Sequence, residues 1–522
     1  MTTITTQFRL APDDTAQQIA ESLGRVGEVV CKPAERQQSV YYDTFDWRLY
    51  ACGKYIVVRP GPLGSEVHFC DARDRNAITI TPGDLPTGFA EDFPPGLIRD
   101  LVREIIDVRR LLPCLTVTSD HTPITIRNRE AKTVLRLAVD DMQARQPDGG
   151  EPVDLGRYLA MTPVRGYRKA ESRARKILGD HFTAHRTDAP IHIAGLVAVG
   201  TIPGNYTSKL KLKLDPRMSA GDAVRHIHLA LLDTMERNEA GTAENIDPEF
   251  LHDFRVAIRR TRSALAQIDR DVLPPAIIAK AQKDFRWIGQ QTNTMRDLDV
   301  YLIDFPGLQA ALPEAYRAHL QPFQEYLCNE SRAETKKVAA MVRGKRYRGI
   351  RDRWRALLDE GFDALAPEKH TETGVKALAD ARIWKFYRRV IRESSAIDDS
   401  SPAEALHDLR ITCKKLRYLL EFFQSLYPQD DIKKLIKSLR NFQNVLGTFQ
   451  DTEIQSLAIL RFGREMTAAR AAPVETQMAM GMVAESILLR QGVARQAFQE
   501  QFEKFSRPDV RALFAELFKN RG

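Results

Sequence analysis

LHDFRVAIRRTRSAL, at residues 251–265, returns 155 positions later as LHDLRITCKKLRYLL at 406–420. Leu251, His252, Asp253, Arg255, Arg262 and Leu265 meet identical residues at Leu406, His407, Asp408, Arg410, Arg417 and Leu420, while Arg259 and Arg260 meet Lys414 and Lys415. A repeat of this kind fixes architecture before any local reading does. Each copy predicts a helix with two faces. At about 100° per residue, Leu251, Phe254, Ile258, Thr261 and Leu265 share one side, with Ala257 at its margin. His252, Arg255, Arg259 and Arg262 form a neighbouring stripe about 80° wide and, at 1.5 Å per residue, about 15 Å long. The second copy divides the same way, with Leu406, Leu409, Cys413, Leu416 and Leu420 against His407, Arg410, Lys414 and Arg417.

Like charges three and four residues apart repel by about 0.2–0.5 kcal/mol per pair, so the stripe works against its own helix. One such stripe alone is most often just a solvated face. Two in the same register, each beside an apolar face, predict two basic helices turned toward one anion site.

The repeat continues beyond the helix. KDFRWIGQQTNTMRDLDVYL (283–302) matches KSLRNFQNVLGTFQDTEIQSL (437–457), with Arg286 and Arg440 each eleven residues before Asp297 and Asp451. The pattern H-x-x-R-x-x-x-R/K-R/K-x-R, followed by a basic helix and a segment ending in Asp, resembles the CHAD family (conserved histidine α-helical domain) over roughly 205–522. The resemblance implies two pseudo-symmetric four-helix bundles whose basic helices line a central cavity for inorganic polyphosphate. The candidate binding residues are then His252, Arg255, Arg259, Arg260, Arg262 and Arg286 from the first half. The second half supplies His407, Arg410, Lys414, Lys415, Arg417 and Arg440.

The chain has 522 residues, too many for one ordinary core, so two or three domains are expected. The net charge of +8 is unevenly placed: residues 1–200 carry 26 Lys+Arg against 26 Asp+Glu, leaving 51 against 43 in 201–522. The excess sits with the repeat and predicts a polyanionic partner there. The six cysteines (Cys31, Cys52, Cys70, Cys114, Cys328, Cys413) form no C-x-x-C pair, which fits a reducing compartment rather than a disulfide frame or zinc ribbon. Cys413 falls on the apolar side of its helix and reads as a small core residue. With no basic-then-apolar leader and no run of 18 apolar residues, a cytoplasmic protein without membrane insertion is expected. The implied ligand would bring it to polyphosphate granules.

Residues 1–190 read as a strand-rich domain. TTITTQFRL opens as a strand, and a short helix follows with Asp13 or Asp14 near its cap. Residues 39–59 read as strand, turn, short helix and strand, and further strands are expected at 65–72, 77–82, 115–122, 123–130 and 133–141. YYDTFDWRLYACGKYIVVRP is similar to the Y-x-D-T…R-x-R segment of the CYTH family, the triphosphate tunnel enzymes. That resemblance implies an antiparallel β tunnel with Arg59, Arg127 and Arg129 as possible anion-binding residues and Asp140 as an inward acid. The family's E-x-E-x-K opening is replaced by Thr5, Gln7 and Arg9, its first R-x-R arginine by Val57, and no late acidic alternation follows Asp140. Carboxylates are the ligands that hard divalent cations need. The tunnel fold is therefore expected without its metal, without another cofactor and without the triphosphatase.

The expected division is a tunnel domain over 1–190, a linker over 191–205 on the strength of Pro190, Gly195, Gly200, Pro203 and Gly204, and a helical domain over 206–522. Its halves are set at about 206–363 and 376–522. His226 and His228, with no acidic partner nearby in sequence, are a poor metal signature. RGKRYRGIRDRWRALL (343–358) interleaves seven basic residues with Tyr347 and Trp354, which could bind nucleic acid by phosphate contact and stacking or could pack the bundle. Polyphosphate binding is thus the favoured function, with a metal-dependent triphosphatase in the tunnel and nucleic-acid binding as the alternatives.

Overall fold

The computed structural model describes residues 6–61, 64–72, 77–80, 85, 87–182, 185–186, 190–362, 374–398 and 400–519. The chain divides into two units, Met1–Thr207 and Ser208–Gly522. Thr5 and most of the loop between the helical halves lie outside the described residues.

The first unit is a curled antiparallel sheet. Its strands are β1 (Thr6–Arg9), β2 (Glu28–Cys31), β3 (Glu35–Thr44), β4 (Lys54–Gly61), β5 (Gly64–Asp71), β6 (Ala77–Ile80), β7 (Leu111–Arg127), β8 (Thr133–Gln146), β9 (Gly149–Pro163) and β10 (His185–Arg186). Its helices are α1 (Ala16–Leu23), α2 (Arg48–Ala51), α3 (Leu97–Ile106), α4 (Arg168–His181) and α5 (Ile191–Ala198). Among the described residues the sheet runs β10-β1-β9-β8-β7-β3-β4-β5-β6, with β2 paired to the far end of β7. The two strands expected at 115–122 and 123–130 are one. Pro123, which has no N–H to give, marks where β7 exchanges β3 for β2 as its partner.

Period-two alternation assigns the faces. Ile124, Ile126, Leu135, Leu137 and Leu159 turn outward under α1 and α4, and Ile56 and Phe69 turn outward under α3. The helix expected with Asp13 or Asp14 near its cap is capped by the next residue, Thr15, in a capping box with Gln18. The opposite, concave face lines a cavity of about 440 Å³.

The expected linker begins with α5. Leu196, 2% exposed, packs against Leu115, Val117 and Ala144 on the concave side. Gly195 is there for closeness rather than flexibility, since a Cβ would stand 2.7 Å from Leu115 Cδ2. Pro190 and Gly195, read as loop signals, are the start and the contact point of a helix.

The second unit is helical: α6 (Ala220–Arg237), α7 (Glu239–Glu244), α8 (Pro248–Gln267), α9 (Pro275–Gln291), α10 (Asn293–Ala310), α11 (Glu314–Arg317), α12 (Gln321–Val342), α13 (Lys345–Glu360), α14 (Val375–Ser395), α15 (Ala403–Phe423), α16 (Gln429–Ala468), α17 (Val474–Phe505) and α18 (Pro508–Phe518). Ser219 caps α6, and Asp247 followed by Pro248 starts α8. The repeat helix α8 packs on α6 and α9, with α13 on α6 and α9. Its copy α15 packs on α14 and α16, with α18 on those two. Two four-helix groups result, and their buried side chains, Cys413 among them, join into one apolar core. Beyond it, α10, α12, the second half of α16 and the first half of α17 form a separate apolar arm around Phe305, Phe323, Phe462 and Met480.

His228 does have an acidic partner. Its Nε2 lies 2.7 Å from Asp269 Oδ2, with both side chains fully buried and the His228 ring edge-on to Trp354. Sequence distance, 41 residues, hid the pair.

Candidate functional site

The two basic stripes divide between structural work and a shared cavity. The cavity, of about 420 Å³, is lined by Arg259, Arg262, Ser263 and Ala266 of α8, Gln282 and Arg286 of α9, and Ile411, Lys414, Lys415 and Tyr418 of α15. Among the described residues five cations therefore converge on it, and no carboxylate lines it. Confining like charges costs free energy unless an anion arrives to offset it. Burial and the neighbouring Arg410 and Arg259 pull Lys414 down to about 8. Arg262 is likewise lowered, by burial and then by Arg286.

Tyr418 and Ser263 were missed by the sequence reading. They occupy the same place in the two copies, one turn beyond Lys414 and Arg259, so extending each stripe by a turn would have found them. The Arg259 Nε donates to the Tyr418 hydroxyl at 2.7 Å, joining the repeat helices directly.

The other candidates are placed differently. Arg255 donates to Gly289 O at 2.9 Å, Thr292 Oγ1 at 2.6 Å and Asn293 Oδ1 at 2.8 Å. These acceptors exist because the helix breaks between α9 and α10. In the second copy α16 runs unbroken for 40 residues, and Arg410 pairs instead with Asp451 at 2.7 Å. Burial lowers Arg255 to about 10. Arg260 pairs with Glu421 at 2.7 Å, and Arg417 stands 3.6 Å from the same carboxylate. His407 Nδ1 lies 2.7 Å from Gln450 Oε1. His252 is half-buried and Arg440 exposed, and neither lines the cavity. The expectation that all of both stripes face one space thus holds for the middle turns alone. The N-terminal turns are engaged by the next helix of their own half.

If Arg255 is a corner latch, its replacement should tax the fold and spare the site. Arg255→Met is expected to cost about 1.5–3 kcal/mol of unfolding free energy. Polyphosphate affinity should stay within about twofold, read by denaturant titration alongside a binding isotherm.

Four of the seven basic residues in the 343–358 run are engaged, while Arg343, Lys345 and Arg348 are exposed. Arg346 stacks 4.0 Å from the Trp287 ring centroid, Arg351 reaches Glu239 at 2.8 Å, Arg353 lies 3.6 Å from Asp284, and Arg355 pairs with Glu236. Tyr347 and Trp354 are buried, so neither offers a face to a base.

In the first unit, Arg59 lines the concave cavity with Gln7, Ser39, Ser119, His121 and Asp140. Arg127 and Arg129 do not. The cavity meets β7 at Val117–His121, and six further residues put Arg127 about 20 Å along the strand, with Arg129 in the turn after it. The two lining carboxylates are engaged apart: Asp140 Oδ1 lies 2.8 Å from His121 Nδ1, and Asp71 pairs with Lys54. That donor set does not fit a divalent cation held by clustered oxygens. Among the described residues no three His, Cys, Asp or Glu side chains come together as metal ligands. Nor is any helix among them long and apolar enough to cross a membrane.

Comparison with known proteins gives a family model for the CHAD domain, matching residues 226–459. No curated protein matches the chain. Solved structures similar to it include the CHAD domain from the plant Ricinus communis, at 24% identity, covering 60% of this chain and 96% of that one with a TM-score of 0.44. PptA from Streptomyces chartreusis is similar at 15% identity, covering 55% and 100%, with a TM-score of 0.44. HpAC1 from Hippeastrum, described as a putative adenylyl cyclase with a dominant triphosphatase activity, is similar at 14% identity, covering 40% and 100%, with a TM-score of 0.27. The span matched by the family model, 226–459, takes in both repeated helices and the residues that line the basic cavity.

Proposed function

We propose that the helical unit binds inorganic polyphosphate in the cavity between α8, α9 and α15. One observation carries this reading: five cations line the cavity with no carboxylate among them. Arginine forks can take phosphate oxygens two at a time, and Lys414 and Lys415 add point charges that tolerate a shifting chain. The lining holds hydroxyl and amide donors in Ser263, Tyr418 and Gln282, and Ile411 is its one large aliphatic side chain, so it is built for charge rather than for bases. The resemblance to CHAD proteins implies the same ligand. The buried aromatics of the 343–358 run weigh against nucleic acid as the partner. A competition experiment tests the reading. Long-chain polyphosphate should displace labelled polyphosphate at concentrations where single-stranded DNA of equal charge does not. Equal displacement by DNA would make the site a general polyanion groove.

Among the described residues, the concave cavity of the first unit offers one arginine, Arg59, to a triphosphate. Tripolyphosphate incubated with the full chain and Mg²⁺ or Mn²⁺ is expected to release phosphate at the uncatalysed rate. Turnover that disappears in Arg59→Ala would move the activity to the first unit.

A further inference from the structure

The 155-residue offset of the repeat carries four residues of the basic cavity to a second cluster. Arg262, Ser263, Ala266 and Lys415 line the cavity. Their counterparts are Arg417, Tyr418, Glu421 and Arg260. These four also meet. Arg260 Nη2 donates to Glu421 Oε2 at 2.7 Å, and Arg417 Nε stands 3.6 Å from Glu421 Oε1. The guanidinium carbons of Arg260 and Arg417 lie 6.0 and 5.5 Å from the centroid of the Tyr418 ring, which also lines the cavity. Both places bring the two halves together, Arg260 with Glu421 in one and Lys415 beside Ala266 in the other. The cavity is therefore one side of a pseudo-two-fold site. Arg259 and Lys414 exchange with each other under the same operation, which puts them at its middle.

The two sides differ at two positions that matter. Where the open side has the small Ser263 and Ala266, the other has a phenol ring and a carboxylate. Glu421 thus supplies, from within the protein, the negative charge that the cavity lacks. One carboxylate serves two guanidinium groups incompletely. The Nε of Arg260 and the Nε of Arg417 are both buried without a hydrogen-bond partner, and the Arg260 and Glu421 side chains are each 13% exposed. Buried donors left unmade cost free energy. A phosphate group has more acceptor oxygens than a carboxylate and suits the arginine fork as well, so it would satisfy more of them.

We infer, resting on polyphosphate as the cavity's ligand, that Glu421 is an internal anion filling a second phosphate subsite at Arg260 and Arg417, and so limits how many cations the polymer reaches. With Glu421 in place the polymer meets the five cations of the cavity, and without it those five together with Arg260 and Arg417. Polyphosphate isotherms on the full chain over a range of salt test this. Glu421→Ala, which copies the first half, should raise affinity by about tenfold or more at low salt. It should steepen the salt slope by about two units, roughly one for each freed arginine. Its Tm without ligand should fall, because two guanidinium groups lose their counter-charge, and its gain in Tm on adding polyphosphate should exceed that of the wild type. Glu421→Gln keeps the side chain's size and should steepen the slope as well, which covers the case in which the alanine variant does not fold. Arg260→Gln, Arg417→Gln and Glu421→Gln together should return the wild-type slope. A wild type that binds, beside Glu421 variants of unchanged slope, would overturn the inference and leave the cavity as the polyphosphate site. A triple variant about two units shallower than the wild type would also overturn it, since the arginines would already touch the ligand. So would a triple variant that keeps the steeper slope, which would then owe nothing to them. A wild type that binds no polyphosphate would overturn both this subsite and the cavity's proposed ligand.

Discussion

Replacing Arg259 and Lys414 together by glutamine is expected to weaken polyphosphate binding by on the order of 10²–10⁴-fold, at about 1.5–3 kcal/mol for each lost charged hydrogen bond. Both residues line the cavity, one from each repeat helix. A polyphosphate held by several cations releases its own counterions, so log affinity should fall linearly with log salt. The double variant should flatten that slope by about one to two units, roughly one per phosphate contact removed. The fold should survive. Arg259 gives up one hydrogen bond, to the Tyr418 hydroxyl, and like-charge repulsion within the cavity is relieved. Arg348→Gln with Arg353→Gln is the control, because Arg348 is exposed and Arg353 already faces Asp284. An unchanged slope in the Arg259/Lys414 variant beside a large loss in the control would relocate the ligand to the exposed run and make nucleic acid the leading partner.

The helical architecture was legible because the chain states it twice, and identical residues at a fixed offset survive any uncertainty about local propensity. The site was legible in its middle. Arg259, Arg262 and Lys414 lie on the stripes that helix periodicity draws beside each apolar face, whereas Lys415 was named only through the family resemblance. What periodicity could not say is which cations were already engaged. Arg255 and Arg410 occupy the same place in the repeat, yet one serves a helix break and the other a carboxylate. That difference was set by whether α9 continues into α10, a matter of tertiary packing. Glu421 illustrates both limits. Its position four residues after Arg417 makes that pair readable, whereas its tighter bond to Arg260 crosses 161 residues. In the first unit, alternation found β1 and β3 to β8 but not β2 or the long β9, and Gly195 carried the wrong message. In a stretch that also holds Pro190, Gly200, Pro203 and Gly204 a glycine reads as part of a linker, and the Leu115 side chain pressed against Gly195 explains why a helix needs glycine there.

Affinity for polyphosphate should also fall as pH rises above about 8, and Lys414 is the group responsible. It is lowered from the ordinary lysine value of 10.5 to about 8, first by burial and then by Arg410 and Arg259, with Arg417 adding to them and Asp451 opposing. A bound polyanion supplies negative charge beside the ammonium and raises its pKa again. Between about 8 and that raised value, binding must take up a proton, so affinity is full below pH 8 and falls above it, by at most about tenfold per pH unit. The sign for the empty protein is opposite. A lysine whose folded pKa lies below its unfolded one leaves the unfolded chain holding more protons between about 8 and 10.5, so Lys414 contributes stability that grows with pH across that window. Alkaline loss of binding therefore cannot be a loss of fold caused by the same residue. Binding isotherms at pH 7.0, 8.5 and 9.5 should show the decline in the wild type. Lys414→Arg, charged throughout the range, should hold its affinity across it. Parallel profiles in the two proteins would remove Lys414 from the ligand's contacts and leave the arginines and Lys415 as the cavity's working charges.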